Sequence, residues 1–167
     1  MQIAIGADYM GFNMKETFKT WLLEQRHEVK DVGTCSVEPV DYPDYAFMVA
    51  AKVATRRTER GVLICRTGVG MAIAANKVAR IRAAFWPDLF TARMSREHNN
   101  AKILTLGGYL TGQELTRELL AVWLKTQFAG GNHFQPLDKI NTIGLGRLTR
   151  DRLNGVCSKS DWGLNLG

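Results

Sequence analysis

Cysteine is scarce in this chain, which contains only Cys35, Cys65 and Cys157 among its 167 residues. The number is odd, and the spacings match neither a disulfide framework nor a metal-binding cluster. We therefore expect free thiols, no bound metal and a reducing, cytoplasmic location. We expect Cys35 and Cys157 to have no role in a functional site.

Long hydrophobic runs are missing as well. No apolar stretch approaches the roughly 20 residues needed to cross a bilayer. Residues 1–6 lack the basic start and the long apolar core of a signal peptide, so we interpret them as the beginning of a strand. Without internal repeats or low-complexity tracts, the chain fits one domain with a full core and no membrane partner.

The charge is unbalanced, because 22 Lys and Arg residues outnumber 16 Asp and Glu residues and give a net charge of +6. A basic chain suggests either nucleic acid or an anionic substrate. The basic residues are scattered, however, and the groups at 56–60 and 147–152 lack the interleaved aromatic side chains that stack bases. We interpret Arg56, Arg57 and Arg60 as a solvated helix end and expect an anionic metabolite, not nucleic acid.

What is present is a regular alternation of strand and helix patterns. Strand-length apolar runs are expected at 2–7, 28–32, 61–65, 81–86 and 102–106. Helices are expected at 11–25, 44–56, 68–77, 88–97 (with Asp88 as its N-cap), 111–128 and 137–143. Apolar strands separated by helices indicate a parallel sheet that is covered on both faces.

The expected fold is therefore a three-layer, doubly wound, five-stranded parallel α/β domain of Rossmann-like type over residues 1–143. Residues 144–167 are rich in Gly, Asn, Ser and Arg. We expect this extension to be loosely ordered or packed on a neighbouring subunit.

Cys65 occupies the most informative position, because it ends the third strand just before a glycine-containing turn and a helix. Backbone N–H groups and a helix N-terminus stabilise anions, so this position could hold a base or nucleophile beside an anion hole. On position alone, a buried structural thiol is the better interpretation, since free cysteine is often part of a core. Gly68 and Gly70 alone do not indicate a nucleotide site, since the third glycine and the later acidic residue of the dinucleotide motif are missing.

Other polar residues stand near the ends of predicted elements. Asp8 and Tyr9 follow the first strand, Thr67 follows the third, and His98 closes the helix after the fourth. Ligands in doubly wound sheets bind outside the carboxyl ends of the strands. We expect the fold to bring these residues, with Asn99, to one rim of the sheet, although Asp8 could simply cap a turn.

Separated motifs stand in one collinear order over residues 1–143. They are IAIGAD at 3–8, GF at 11–12, KE at 15–16, GT at 33–34, DYPDYA at 41–46, GVLIC at 61–65, TGVGM at 67–71, AANK at 74–77, IRAA at 81–84, REHNNA at 96–101 and GGNH at 130–133. Together they resemble one known family, that of ribose-5-phosphate isomerase B and galactose-6-phosphate isomerase.

The resemblance implies an aldose–ketose isomerase that uses neither a metal nor an organic cofactor. It also implies a homodimer or homotetramer whose sites are each built from two subunits. Cys65 would be the base that moves a proton between two sugar carbons, and His98 would help to open the ring. Thr67 and the amides around Gly68, Val69 and Gly70 would bind the enediolate oxygen, while Asp8, Tyr42 and Asn99 would hold sugar hydroxyls.

The chain departs from the family pattern where a phosphate would bind. Asn132 and Pro136 stand where the family has arginines, and Tyr109 replaces a third. Tyr9 replaces a histidine after the first strand, and Arg66 replaces a glycine after the cysteine. An arginine–phosphate contact is bidentate and charge-assisted, so its loss is a large change.

Two explanations for these departures remain open. Either Arg66 or the group Arg147, Arg150 and Arg152 binds the phosphate elsewhere, or the substrate lacks that phosphate. In the second case the sugar face would stack on aromatic side chains, namely Tyr9, Tyr109, Trp86 and Phe134. We expect a sugar substrate other than ribose 5-phosphate. The alternative is a non-catalytic sugar-binding protein or partner subunit of the same family.

Overall fold

The computed structural model describes residues 1–143, and the expected extension at 144–167 lies outside the described residues. Strands and helices alternate as expected. The strands are β1 (Gln2–Ala7), β2 (Glu28–Asp31), β3 (Arg60–Cys65), β4 (Ala83–Phe85) and β5 (Ile103–Gly107). The helices are α1 (Phe12–Glu24), α2 (Tyr42–Ala54), α3 (Val69–Ala75), α4 (Leu89–Glu97), α5 (Gln113–Lys125) and α6 (Phe134–Ile143), with a 3₁₀ turn at Gly131–His133.

The five strands form one parallel sheet in the order β2-β1-β3-β5-β4. The central strands β1, β3 and β5 are almost entirely buried, as expected for apolar strands with helices on both sides. From β1 the chain crosses to β2 on one side, whereas from β3 it crosses to β4 beyond β5 on the other. The direction of winding therefore reverses between β1 and β3.

Helices cover both faces of the sheet and produce three layers. One core contains Phe18 and Leu22 of α1 together with Trp123 of α5. The core on the other face contains Val49 of α2 and Met71 of α3. The doubly wound, Rossmann-like α/β fold expected from the sequence is confirmed.

Local signals placed most element ends correctly. Asp88 caps α4, because its Oδ1 accepts a hydrogen bond of 2.9 Å from the backbone N–H of Thr91. The fourth strand is shorter than the six residues expected, and it lies at the edge of the sheet. Arg82, which was expected within this strand, lies just before it. The backbone carbonyl of Arg82 accepts hydrogen bonds from the N–H groups of Lys102 and Ile103.

The interpretation of residues 56–60 as a solvated helix end was wrong for Arg60. Arg56 and Arg57 are exposed after α2, but Arg60 is the first residue of β3 and is only partly exposed. Its guanidinium lies 5.9 Å from the centre of the Trp123 ring, so the side chain packs across the end of the sheet.

No helix within residues 1–143 combines the length and apolar character needed to cross a membrane.

Candidate active site

The loops that follow β1 and β3 meet at the carboxyl edge of the sheet, where the winding direction reverses. The N–H of Asp8 donates to the carbonyl of Ile64, and the N–H of Gly108 donates to the carbonyl of Cys65. These backbone hydrogen bonds hold the ends of three neighbouring strands together. The switch point of an open α/β sheet is where such folds bind ligands.

Cys65 is the last residue of β3, and 5% of its surface is exposed. Its Sγ accepts a hydrogen bond of 3.2 Å from the N–H of Gly68. Gly68 has a φ of 80°, in the left-handed region, and a Cβ there would lie 2.8 Å from the Phe85 ring. Glycine is therefore required for the turn that directs this N–H at the sulfur.

The turn after Cys65 leads into α3 and is covered by Tyr42. Thr67 is exposed, and its Oγ1 accepts a hydrogen bond of 3.4 Å from the N–H of Val69. A Cβ at Gly70 would lie 2.8 Å from the ring of Tyr42, so this tyrosine packs directly on the first turn of α3. Thr67, Gly68, Val69, Gly70 and Tyr42 are thus brought together as expected.

Asp8 is a buried carboxyl at the end of β1, and its Oδ1 accepts a hydrogen bond of 2.9 Å from the N–H of Gly11. Burial raises the pKa of Asp8 above its ordinary value of 3.8, although hydrogen bonds from the backbone N–H groups of Gly11 and Met10 oppose the rise. The carboxyl therefore has both a fixed orientation and an altered acidity.

A cavity of about 530 Å³ opens beside Asp8, Tyr42 and Arg66, whereas Cys65 and the turn at 67–70 are not among its lining residues. It is lined by Asp8, Tyr9, Met10, Pro39, Val40, Asp41, Tyr42 and Arg66. The guanidinium of Arg66 lies 5.5 Å from the centre of the Tyr109 ring. Carboxylates, tyrosines and one guanidinium can form hydrogen bonds to a small polyol, and the aromatic faces can pack against its carbons.

Sequence reasoning gave no role to the segment Pro39–Val40–Asp41 or to Met10. This segment connects β2 to α2 and reaches the cavity because β2 lies beside β1 in the sheet. Asp41 belongs to the motif DYPDYA, which carries part of the family resemblance. A carboxylate directly before Tyr42 was the sequence signal that could have identified Asp41 as a site residue. Its position in the cavity depended on the strand order.

His98 and Asn99 are not on this rim, and that expectation was wrong for a single chain. A helix that follows a parallel strand runs back along the sheet, so α4 ends at its amino edge. His98 is the C-cap of α4, five residues before β5 begins at Ile103. In register, Ile103 pairs with Gly61, at the end of β3 opposite to Cys65.

At the amino edge, His98 lies close to residues of the later chain. Its ring stacks on that of His133, with 4.3 Å between ring centres and 16° between planes. The exposed Asn99 follows, and its backbone carbonyl accepts a hydrogen bond of 2.7 Å from Arg82 Nε. We call His98, Asn99 and His133 the amino-edge group.

Two arginine side chains support the backbone of the turn that contains His98 and Asn99. Burial, together with the neighbouring charges of Arg60 and Arg82, lowers the pKa of Arg96 to about 10. Its guanidinium donates hydrogen bonds to the carbonyl of Ala101 and to Asn100 Oδ1, which supports the turn after His98. The imidazole of His98 therefore stands on a well-supported turn of the backbone.

The residues expected to form one site thus fall into two groups on opposite edges of the sheet. The carboxyl-edge group contains Asp8, Tyr9, Tyr42, Cys65, Arg66 and the turn at 67–70. Within residues 1–143, no cluster of three or more His, Cys, Asp or Glu side chains is arranged to hold a metal ion.

This fold and this arrangement define an α/β protein with a polar cavity at the switch point of its sheet. The family model for ribose/galactose isomerases matches residues 3–140. Ribose-5-phosphate isomerase B of Escherichia coli is 43% identical over 142 residues, which cover 85% of this chain and 95% of that relative. D-erythrulose-4-phosphate isomerase of Pectobacterium atrosepticum is 38% identical over 142 residues, covering 84% of this chain and 93% of the relative.

Solved structures give the same result. Ribose-5-phosphate isomerase B of Clostridium thermocellum superposes with a TM-score of 0.86 at 44% identity, covering 87% of this chain and 99% of that one. The chain belongs to the ribose/galactose isomerase family, a family of aldose–ketose isomerases that act on sugar phosphates.

Proposed function

We propose that this protein interconverts an aldose and a ketose through an enediolate, with Cys65 as the carbon base. The observation that supports this most directly is the hydrogen bond from Gly68 N–H to Cys65 Sγ, at the switch point and directly before Arg66, which lines the cavity. A thiolate that accepts a backbone hydrogen bond is stabilised where it is needed. Cytoplasmic conditions would keep the free thiols Cys35 and Cys65 reduced.

The proposed reaction has two proton transfers at carbon. Thiolate Cys65 removes the proton from the carbon beside the carbonyl, and negative charge moves onto the carbonyl oxygen. The Thr67 hydroxyl, whose oxygen accepts the Val69 N–H, and the amide of Gly70 would stabilise that oxygen. The Gly70 N–H lies in the first turn of α3, where backbone N–H groups have no partner within the helix. The hydroxyl proton of the carbon that lost its hydrogen then passes to the enediolate oxygen. The thiol returns its own proton to the former carbonyl carbon, so that a carbonyl forms at the adjacent carbon and the thiolate is regenerated without any net redox change.

Ring opening needs a group that accepts one proton and supplies another near neutral pH, and imidazole has that capacity. We assign this step to His98. Since His98 and Cys65 lie on opposite edges of one sheet, His98 and Asn99 would come from a second copy of the chain. The proposed assembly is therefore a homodimer, or a homotetramer of such dimers, in which each site combines the carboxyl-edge group of one copy with the amino-edge group of another.

The proposed substrate is a sugar phosphate other than ribose 5-phosphate. Asn132 and Pro136 provide no positive charge in the exposed stretch beside His133, and Tyr109 provides none beside Arg66. The E. coli relative is named for ribose 5-phosphate and the P. atrosepticum relative for D-erythrulose 4-phosphate. The number of carbons in the named sugar therefore differs between these two relatives. Four-carbon sugar phosphates are therefore tested first.

The test is incubation of the protein with tetroses, pentoses and hexoses, each with and without a terminal phosphate, in deuterated water. The expected result is deuterium at the carbon beside the carbonyl of one sugar phosphate, detected by NMR. Cys65→Ala should abolish the exchange while leaving the circular dichroism spectrum unchanged. Cys35→Ala, at an exposed free cysteine, should retain full exchange. Wild-type turnover in Cys65→Ala would disprove the role of Cys65 as the base.

The departures at Tyr9, Arg66, Asn132 and Pro136 support one other candidate, a sugar-binding protein or partner subunit without catalytic activity. That function predicts saturable binding of a sugar and no solvent exchange anywhere in the panel. The isomerase function is favoured over simple binding by the presence of four reactive or polar side chains, Cys65, Thr67, His98 and Asn99. Sugar binding alone requires neither a thiol nor an imidazole.

A further inference from the structure

We propose that Arg66 binds the phosphate of the substrate, so that the cation for the phosphate is carried by the same chain as the base. This inference rests on the proposed isomerase function. It identifies the substrate as phosphorylated and names a residue that determines specificity at a position where the family resemblance predicts glycine.

The charge distribution in the cavity is the first argument. Among the cavity-lining residues within 1–143, Arg66 is the one cationic side chain, and Asp8 and Asp41 are carboxyl residues. A phosphate dianion that entered beside two carboxylates without a cation would be repelled. A guanidinium is the group whose paired N–H donors match phosphate oxygens.

The second argument is the state of the Arg66 side chain. None of the ion pairs within residues 1–143 involves Arg66, and its guanidinium makes no hydrogen bond to another of these residues. Within the described residues, its guanidinium carbon lies over the Tyr109 ring, 5.5 Å from the ring centre. A cation–π contact uses no N–H···O hydrogen bond, so the guanidinium donors stay available for an anion.

The third argument is the position of Arg66 relative to the base. Cys65 is buried at the end of β3, whereas Arg66, the next residue, is exposed at the mouth of the cavity. The carbonyl of Arg66 accepts a hydrogen bond of 3.3 Å from the N–H of Tyr109, which fixes the backbone. A sugar phosphate could therefore place its reacting carbons inward and its charged end outward.

The arrangement also explains why Asn132 and Pro136 can be uncharged. Both flank the amino-edge group, which in the proposed assembly would reach the site from the other copy. Phosphate binding by Arg66 moves this task to the chain that carries Cys65. Tyr109, 66% exposed, then serves as the platform that orients the guanidinium.

The test compares Arg66→Gln and Arg66→Lys with wild type, and Arg93→Gln is the control at an exposed arginine on α4. Two measurements are made: kcat/KM for the active sugar phosphate and for its unphosphorylated form, and the affinity for inorganic phosphate by calorimetry. Arg66→Gln should lower kcat/KM for the phosphorylated sugar about 10- to 100-fold, because a charge-assisted pair is lost. The unphosphorylated sugar should change less than about threefold.

Arg66→Lys should retain part of the phosphate affinity, since it keeps the charge and loses the bidentate geometry. Equal losses on both sugars, unchanged phosphate affinity in Arg66→Gln, or wild-type activity on unphosphorylated sugars alone would each overturn the proposal. Phosphate affinity separates this failure from failure of the isomerase function. A protein that is inactive on every sugar but loses phosphate binding in Arg66→Gln would disprove the function and support Arg66.

Discussion

Asp8 is the residue at which burial and chemistry interact most directly. Compared with the unfolded chain, the folded protein favours the protonated form of Asp8, because burial raises the pKa of the carboxyl. An acid whose pKa is raised by folding stabilises the fold at low pH, and this contribution is lost as the pH rises through the raised pKa. Above that pH the ionised carboxylate is a strong acceptor for sugar hydroxyls, at a cost in stability.

We predict that Asp8→Asn is at least as stable as wild type at pH 7. This advantage should disappear below pH 3.8, the ordinary pKa of an aspartate, because Asp8 is then protonated in both the folded and the unfolded wild type. Asparagine resembles the protonated acid and keeps an oxygen that can accept the Gly11 N–H. Urea unfolding at pH 7 and near pH 3 measures the difference. In wild type, kcat/KM should fall as the pH drops through the raised pKa of Asp8. In Asp8→Asn this fall at acidic pH should be absent, and the maximum value of kcat/KM should be lower than in wild type.

An unchanged acid limb and plateau in Asp8→Asn would show that Asp8 merely caps the turn at Gly11. The sequence left both roles open, because an aspartate side chain also hydrogen-bonds readily to nearby backbone N–H groups in a turn. Its burial, which decides the direction of its pKa, came from the packing of the loops after β1 and β3.

At the scale of elements, the junction between β3 and α3 determines the position of the sulfur. Gly68 adopts a left-handed conformation and donates to Cys65 Sγ, and a side chain there would meet Phe85 and the backbone of Leu106. The junction is thus constrained by β4 and β5 as well as by its own sequence. Its glycine and its short helix were evident in the sequence, but the packing against Phe85 was not.

We predict that Gly68→Ala lowers the free energy of unfolding by at least about 2 kcal/mol, from backbone strain and overpacking. It should also reduce turnover at least about tenfold, because the N–H moves away from the sulfur. Gly112→Ala is the matched control, since its φ is −67° and no heavy atom lies within 4 Å of an added Cβ. That variant should lose less than about 1 kcal/mol and keep its activity.

Denaturant unfolding and steady-state kinetics on both glycine variants check this prediction. Full activity in a destabilised Gly68→Ala would mean that the hydrogen bond to Cys65 has no part in the reaction. Equal destabilisation of the two variants would mean that the left-handed conformation at Gly68 carries no special constraint.

At the scale of the molecule, the opposite placement of Cys65 and His98 makes a strong demand on assembly. No movement of side chains joins the two edges of one sheet, because Cys65 pairs with Gly107 at one end of β5 and His98 precedes the other end. The proposed reaction therefore requires at least two copies, related so that each contributes one edge to each site.

We predict that Cys65→Ala and His98→Asn are each inactive alone and restore activity when unfolded and refolded together. In a mixed dimer, one site contains both substitutions and the other contains neither. Random association of equal amounts would therefore restore about a quarter of wild-type activity. Size-exclusion chromatography of each variant checks that the assembly itself persists.

A mixture of Cys65→Ala with Gly68→Ala is the control, because both changes lie on the same edge and no intact site can form between them. Mixtures with full-length wild type calibrate the exchange of subunits. No recovery in the Cys65→Ala and His98→Asn mixture, in assemblies shown to be mixed, would contradict the shared site.

Local patterns in the amino-acid sequence were enough to predict the helices and strands of this protein and the chemical groups next to Cys65. Strand and helix patterns depend on short-range periodicity, so β1 was placed from Gln2 to Ala7 and Asp88 was identified as a cap. The neighbours of Cys65 are close in sequence, so Thr67, Gly68 and Gly70 could be placed beside it without any knowledge of the packing.

The tertiary structure decided which distant residues meet. Strand order brought Asp41 to the cavity, the packing after β5 placed Tyr109 under Arg66, and the direction of α4 put His98 on the amino edge. The physical reason is that these contacts depend on which strands are neighbours and on which way each helix runs. Hydrophobic periodicity contains neither kind of information, so only the folded sheet separates the two halves of the proposed site.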